Sequence, residues 1–421
     1  MRRLIVLAIR GRKKIITSSM ILAGSILLLS FGKGSATIAQ AGNPLQVSQQ
    51  IINVPGDAPS IQAGIDLASD GDLVLVAPGE YHENILIEGK TITLASQFHT
   101  TGDPSLIDKT IIDGAGSTVI TVMRSVGPDT KIIGFTIRNG NDGIRSVAKL
   151  HILNNRFASN KDGIDYGGSG GFCRNNVFEN NRDDAIDMDG PTEATIEDNI
   201  IRTSGDDGIE IRLHPYSGPT LNIIIRRNII SSSDEDGIQL VDYEDLSDRV
   251  FLIERNVIKD NNKVGLGLMD NGETNQDFRG ASIPERIHVF FNTFINNDHG
   301  LTGGDNLIAL NNIFVGSQNI ALKNMDGGSI AAYNLFWGNG IDYQNSNVDT
   351  SKTILFDPRL DANYRLLPGS LAIDAGTAFF SWNAEVVLDL QPNEYYGEYP
   401  DLGVYESQYI TGPLYLPVVI N

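Results

Sequence analysis

The sequence predicts an all-β protein, a right-handed parallel β-helix (a solenoid) with a short capping helix on its N-terminal side. Three observations carry this expectation. An Asn followed two residues later by Phe or Ile recurs at Asn155, Asn176, Asn199, Asn228, Asn256, Asn292, Asn312 and Asn334. Nine or ten residues after most of these stands a second apolar mark, at Ile164, Ile186, Ile209, Ile238, Leu266 and Leu301. Between the marks run short alternating stretches such as "NIIRTSGDDGIEIRL". Two-residue alternation means strands, and units of about 22 residues with turns rich in Asn, Asp and Gly suit coils stacked about 4.8 Å apart. Right-handed crossovers are the expected sense. The repeated Asn is expected in a left-handed turn, its side chain stacking into an amide ladder. A leucine-rich repeat would need a Leu consensus that is absent, and a propeller would need longer units.

The first 41 residues stand apart. A basic start (Arg2, Arg3, Arg10, Arg12, Lys13, Lys14) precedes an apolar run from Ile15 to Phe31 and a small-residue site, Ala39-Gln40-Ala41. This is the layout of a secretory signal peptide, 1–41, with an uncleaved anchor as the competing reading; Thr17, Ser18, Ser19 and Gly24 weaken it as a span. The segment holds seven of the 32 Lys and Arg and none of the 52 acids, so the mature chain carries 25 against 52, a net charge of −27. Such a surface argues against nucleic acid and anionic membranes as partners and fits a secreted or cell-surface protein, expected to be a monomer, that binds cations. Cys173 is alone, so no internal disulfide can form and a core position is expected.

The solenoid is expected over 42–345. Ser60 to Ala68 has the spacing of an amphipathic helix able to cover the first coil, and "DLVLVA", "NILI" and "TITLA" supply the next strands. After about Asn345 the Asn mark ends and Pro and Tyr increase, so 346–421 is expected to close the other end, where an open edge invites aggregation. "IQAGIDLASDGDLVLVAPGEY" near the start, and "YRLLPGSLAIDAGT" with "DLGVYES" near the end, resemble the opening and closing segments of secreted proteins of the pectin-lyase-like superfamily. That resemblance implies the β-helix fold; it leaves activity open, because the superfamily includes lyases, hydrolases, epimerases and non-catalytic proteins.

Alternation also assigns faces. In "DGIDYG", "DAIDMD", "DGIEIR", "DGIQLV" and "VGLGLM" the central Ile or Leu points inward and the next residue outward. Stacking then aligns Asp165, Asp187, Glu210, Gln239 and Gly267 in one outward row. One step earlier, Gly163, Ala185, Gly208, Gly237 and Gly265 are expected to form a smooth floor. Two residues beyond the acidic row, Gly167, Asp189, Arg212, Val241 and Met269 form another, in which Arg212 is read as the only cation beside the carboxylates. Carboxylates about 5 Å apart repel by roughly 3 kcal/mol at an effective dielectric near 20, so a cation or protons must neutralise them. Calcium, Ca2+, suits an all-oxygen set offered from adjacent coils, whereas zinc would want His or Cys. The candidate ligands are Asp162, Asp165, Asp183, Asp184, Asp187, Asp207 and Glu210. The alternative is a solvated acidic face.

The run "RDDAIDMD", with Asp183, Asp184 and Asp187 as DDxxD and Asp162 one coil earlier, is similar to the calcium-binding run of family 9 pectate lyases. The resemblance implies a calcium site there. It departs where that family has a catalytic lysine on the following coil, a position that reads Glu210 here.

Insertions mark one corner. The count from inward residue to next Asn grows from 12 and 13 to 19, 18 and 26, through "LHPYSGPT", "VDYEDLSDR" and "MDNGETNQDFRGASIPER". Loops grown at one corner of a solenoid form binding walls, and these are expected to bring His214, Tyr216, Tyr243, Phe278, Arg279 and Arg286 to the acidic row. The expected partner is an acidic polysaccharide, held by Arg212, Tyr216, Tyr243 and Arg279. The catalytic candidates for calcium-assisted β-elimination are Arg212, His214, Glu210 and Tyr243. Two alternatives stay open: hydrolysis by Asp187 and Glu210 as a carboxylate pair, and a non-catalytic carbohydrate-binding or surface protein with structural calcium.

Overall fold

The structure, a computed structural model, describes residues 49–243, 247–276 and 278–408. The expected signal segment, 1–41, lies outside them. Among the described residues, three sheets of 12, 11 and 11 strands run parallel throughout, each strand bonded to its counterpart in the next coil. Sheet I (12 strands), sheet II and sheet III form the three sides of each coil. In sheet II the inward residues Ile120, Ile144, Ile164, Ile186, Ile209, Ile238, Leu266, Leu301 and Leu322 fall in one register. Parallel strands buried on the inner face give a column of like side chains, so packing repeats coil after coil. Phe157 stacks on Phe178 at 4.7 Å between ring centres, and Phe294, Phe314 and Phe336 continue the pattern at 4.7 and 5.2 Å. Cys173 is buried in this core.

The Asn ladder forms as a side-chain relay. Asn228 illustrates it: its Nδ2 donates to Ile196 O at 2.9 Å and to Asn256 Oδ1 at 3.0 Å. Its own Oδ1 accepts from Asn199 N and Nδ2, both at 3.0 Å. One correction concerns the backbone. The left-handed residue is the one preceding each ladder Asn, namely Asn154, Asn175, Asp198, Arg227, Arg255, Phe291, Asn311 and Tyr333. The ladder Asn itself keeps its N–H aimed at the next coil's Asn, as Asn155 does to Asn176 Oδ1 at 2.9 Å. A second, shorter ladder went unread in the sequence: Asn160, Asn181, Asn261 and Asn297 accept backbone N–H bonds at the turn from sheet III into sheet II.

Helix α1 (Ile61–Leu67) begins at Ser60, whose hydroxyl accepts from Ala63 N at 3.1 Å. Glu83 accepts from Ile61 N and Gln62 N, a carboxylate at the positive end of the helix. Gly64 lets α1 approach closely: an added Cβ would lie 2.9 Å from Val54. At most one helix was expected, and a second short turn, α2 (Phe98–Thr101), follows, ended by Gly102 at φ 72°. No helix among the described residues is long and apolar enough to cross a membrane.

Past the last strand of sheet II, isolated parallel bridges join Val348 to Ala331 and Ile354 to Leu335. Farther on, Leu366, Ala372, Ile373 and Leu402 pack on Ile313 and Leu335 of sheet III. A hairpin of Phe379–Trp382 and Glu385–Asp389 packs through Phe380, Trp382 and Leu388 on Phe290, Ile308 and Ile330 of sheet I. The C-terminal segment thus lies along the outer faces of the last coils of sheets I and III.

Candidate functional site: an acidic row on sheet II

Six strands of sheet II build the site: β1 (Asp142–Ser146), β2 (Asp162–Gly167), β3 (Ile186–Asp189), β4 (Ile209–Leu213), β5 (Ile238–Asp242) and β6 (Val264–Met269). Their register aligns Asp165, Asp187, Glu210, Gln239 and Gly267 as the alternation predicts. The same row continues backwards to Arg145, opposite Asp165. Arg145 Nε lies 3.2 Å from Asp165 Oδ2, so Arg212 is not the only cation beside the carboxylates. "NDGIRS" carries the same pattern as "DGIDYG", but the Asn marks begin a coil later and hid it.

A second column of aspartates stands three residues before the row. Asp162, Asp184, Asp207 and Asp236 are buried at the turn entering sheet II. Each turns one oxygen to the next coil: Asp184 N donates to Asp162 at 3.2 Å, Asp207 N to Asp184 at 2.9 Å, Asp236 N to Asp207 at 2.7 Å and Val264 N to Asp236 at 2.8 Å. These carboxylates therefore do structural work with one oxygen and offer the other. The glycine row corrects a second expectation. An added Cβ at Gly163 would meet Phe178 Cδ1 at 2.7 Å, at Gly208 Ile230 Cγ2 at 2.6 Å and at Gly265 Phe294 Cδ1 at 2.7 Å. That row packs against the interior and is not an outward floor.

Oxygens of Asp184, Asp187 and Glu210 lie within 4.8 Å of one another, as do those of Asp162, Asp183 and Asp184 and those of Asp184, Asp206 and Asp207. Asp184 is common to all three. The Asp162–Asp183 pair already holds a cation, because Lys161 Nζ sits 3.1 Å from Asp162 and 2.7 Å from Asp183. Asp165 pairs with Arg145. The group of Asp184, Asp187 and Glu210 holds more negative charge than the neighbouring cation, Arg212, balances, and so does that of Asp184, Asp206 and Asp207.

Burial dominates the electrostatics there. It pushes the Asp187 carboxyl up to about 8, helped by Asp189 and Glu210. It pushes Glu210 up to about 7 despite the neighbouring Arg212, and Asp165 up to about 6 despite Arg145. Asp184 is raised by burial and then by Glu210, and Asp207 by burial and then by Asp236. Burial opposes the charge on Arg212, yet Glu210, Asp187 and Asp189 outweigh it and hold the guanidinium more firmly protonated. Its Nη2 is 2.6 Å from Glu210 Oε2, and its Nη1 is 3.9 Å from Asp187 and 3.7 Å from Asp189.

The first two insertions bring His214 and Tyr243 to this cluster. His214 Nε2 lies 3.3 Å from Asp189 Oδ1, and its ring stacks on Tyr243 at 4.6 Å. Burial raises the Tyr243 hydroxyl. Arg249, not singled out in the sequence, fixes the corner by donating to His214 O at 3.0 Å and Gly190 O at 2.7 Å. Other expected wall residues go elsewhere. The Tyr216 ring faces Arg249 and its hydroxyl donates to Pro219 O. Arg279 lines a small recess with Met269, Asp270 and Glu273. Arg286 pairs with Glu385 of the C-terminal hairpin, and Phe278 stacks on His299 at 4.3 Å.

Residues 134–314 match the family described as "Right handed beta helix region". The structure is similar to that of pectate lyase Pel9A, with TM-score 0.59 and 14% identity over 86% of this chain and 97% of that one. It is also similar to the Family 28 exopolygalacturonase of Yersinia enterocolitica, with TM-score 0.43 and 15% identity over 73% of this chain and 79% of that one. No curated protein sequence matches the chain. With its three parallel sheets, the chain has the right-handed parallel β-helix fold.

Proposed function

We propose that the protein is a secreted, calcium-assisted lyase that cleaves an acidic, uronate-containing polysaccharide by β-elimination. The observation that carries the reading is the placement of Arg212. A protonated guanidinium is held among Glu210, Asp187 and Asp189 beside the stacked pair of His214 and Tyr243. The similar structure that is a pectate lyase by name agrees with a glycan as partner. The basic, apolar leader of the sequence supports secretion.

Calcium fits the donor set. Asp184, Asp187 and Glu210 offer hard oxygens from adjacent coils, and Asp187 Oδ1 is buried with no hydrogen-bond partner among the described residues. These three residues would hold the ion, which when bound supplies positive charge to neutralise a uronate carboxylate. Arg212 pairs with that carboxylate and acidifies the adjacent C–H. His214, whose Nε2 lies 3.3 Å from Asp189 Oδ1, takes the proton. As that C–H bond breaks, a C=C bond forms and the C–O bond to the leaving sugar breaks. Tyr243, kept protonated by its raised hydroxyl, donates a proton to the departing oxygen. Glu210 orients Arg212.

The reading is tested on a panel of acidic polysaccharides, with calcium and with chelator, by the ultraviolet absorbance of unsaturated uronate ends. Calcium-dependent absorbance on one of them is expected. New reducing ends without that absorbance would move the chemistry to hydrolysis by the carboxylate pair, and binding without product would make the protein a binding module.

A further inference from the structure

The outer face of sheet II changes character along its length. On the N-terminal side the row is open: Leu86 is 38% exposed and the Arg145 side chain 59%, while Asp165 and Asp187 keep 15% and 14% of theirs exposed. From Glu210 on the row lies under cover, with Glu210 at 3% and Gln239 and Thr302 both at 0%. The row two residues on changes one coil later. Asp189 and Arg212 keep about a third of their side chains exposed, whereas Val241 and Met269 are buried. The two rows thus go under cover at adjacent coils.

The cover comes from the third insertion. Gln276 Nε2 donates to Asp236 Oδ2 at 3.2 Å and to Thr302 Oγ1 at 3.3 Å, directly over the place where the row carries no side chain. Gly267 is what permits this, because an added Cβ would lie 2.1 Å from Asp236 Oδ2 and 2.3 Å from Gln276 Nε2. Gln276 Oε1 accepts from Phe278 N, and Phe278 lies against His299 and Lys323 from the following coils. Tyr243 completes the wall on the open side, stacked on His214 and packed against Gly272, where an added Cβ would meet its ring at 2.9 Å. The His214–Tyr243 pair therefore stands where the open face meets the block. From Leu86 to Glu210 the face spans six coils, roughly 24 Å at about 4.8 Å per step. The block covers the next three coils, those of Gln239, Gly267 and Thr302.

We propose that this face is a groove closed at one end, so that it takes the terminus of a glycan chain and holds it against Arg212, His214 and Tyr243, and does not clasp the chain at internal positions. The proposal rests on the acidic-polysaccharide reading above. A groove open at both ends lets many protein molecules bind along one chain, in number proportional to its length. A closed groove admits one chain end of matching polarity. Longer chains then gain nothing in capacity.

The test is the binding stoichiometry of the full protein, by calorimetry and by sedimentation, on length-fractionated acidic oligosaccharides with calcium. The longest should exceed the open length of the groove several-fold. A protein-to-chain ratio that stays fixed across the series is the expected result, with Arg212→Gln weakening binding at least tenfold at every length. A ratio rising in proportion to length would overturn the closed groove and leave the site reading intact. Absence of binding to every acidic glycan, or binding untouched by Arg212→Gln, would overturn the site reading and this inference with it.

Discussion

Replacing Asp187 by Asn should make the calcium-free protein more stable at alkaline pH while removing its response to calcium. The Asp187 carboxyl stands at about 8, against an ordinary value near 3.9, because burial and its acidic neighbours oppose its ionisation. A group raised in the folded state stabilises fully below its unfolded value and loses that contribution as pH rises through the folded one. The window is therefore pH 4 to 8, with stability falling as pH increases. At about 1.4 kcal/mol per unit the loss is at most about 6 kcal/mol, and protons shared with Glu210 and Asp184 bring the expected net to about 2 kcal/mol. About 360 described residues at roughly 2.1 cal/mol/K each give an unfolding entropy near 0.75 kcal/mol/K, so the difference is about 3 °C in Tm. Calcium at a hundred times its Kd would return about 2.7 kcal/mol, or about 4 °C, to the wild type alone. The assay is thermal unfolding from pH 4 to 9, with chelator and with calcium, for wild type and Asp187→Asn. Equal Tm values for the two proteins at every pH, with no calcium response in either, would refute the reasoning: the acidic row would then be a solvated face.

Other expectations follow from single contacts. His214→Ala and Tyr243→Phe should each lower kcat by about 100-fold or more with little change in Kd for the glycan, the usual scale for a positioned proton-transfer group; an unchanged kcat would move the chemistry off this stack. Asn228→Ala strands Asn199 N–H and Ile196 C=O in the interior and should cost about 2–4 kcal/mol, measured by denaturant unfolding; a cost below about 0.5 kcal/mol would mean the ladder is dispensable.

The sequence carried the solenoid because coil geometry forces a period. Each ladder Asn must recur once per coil, and each outward residue follows an inward one. That is why Asp165, Asp187 and Glu210 could be aligned before any coordinates. Arg145 escaped because its coil lacks the Asn–x–Phe mark, although its strand alternates like the others. The buried glycines were misassigned because alternation breaks down at a turn, where Gly163 faces Phe178. Lys161 lies at that same turn and was overlooked for the same reason. Loop growth pointed to His214 and Tyr243, which follow their strands at once and stack on each other beside Asp189. It could not foresee Arg286 pairing with Glu385, 99 residues away, or Gln276 folding back over Gly267. Those placements depend on contacts between distant segments, which no local period encodes.

The central claim is that Arg212 serves a substrate and not only its own carboxylate neighbours. Arg212→Gln tests it when melting temperature, glycan binding and unsaturated product are measured on the same preparation. Arg212 is about one-third exposed but Glu210 is buried, so losing the pair should cost about 3–5 kcal/mol, and folding should survive with a Tm lowered by about 4–7 °C. Turnover on the acidic polysaccharide that the wild type cleaves should fall by at least about a hundredfold, the scale for losing one positioned charge-stabilising group. Turnover equal to wild type in a folded Arg212→Gln protein would contradict the account.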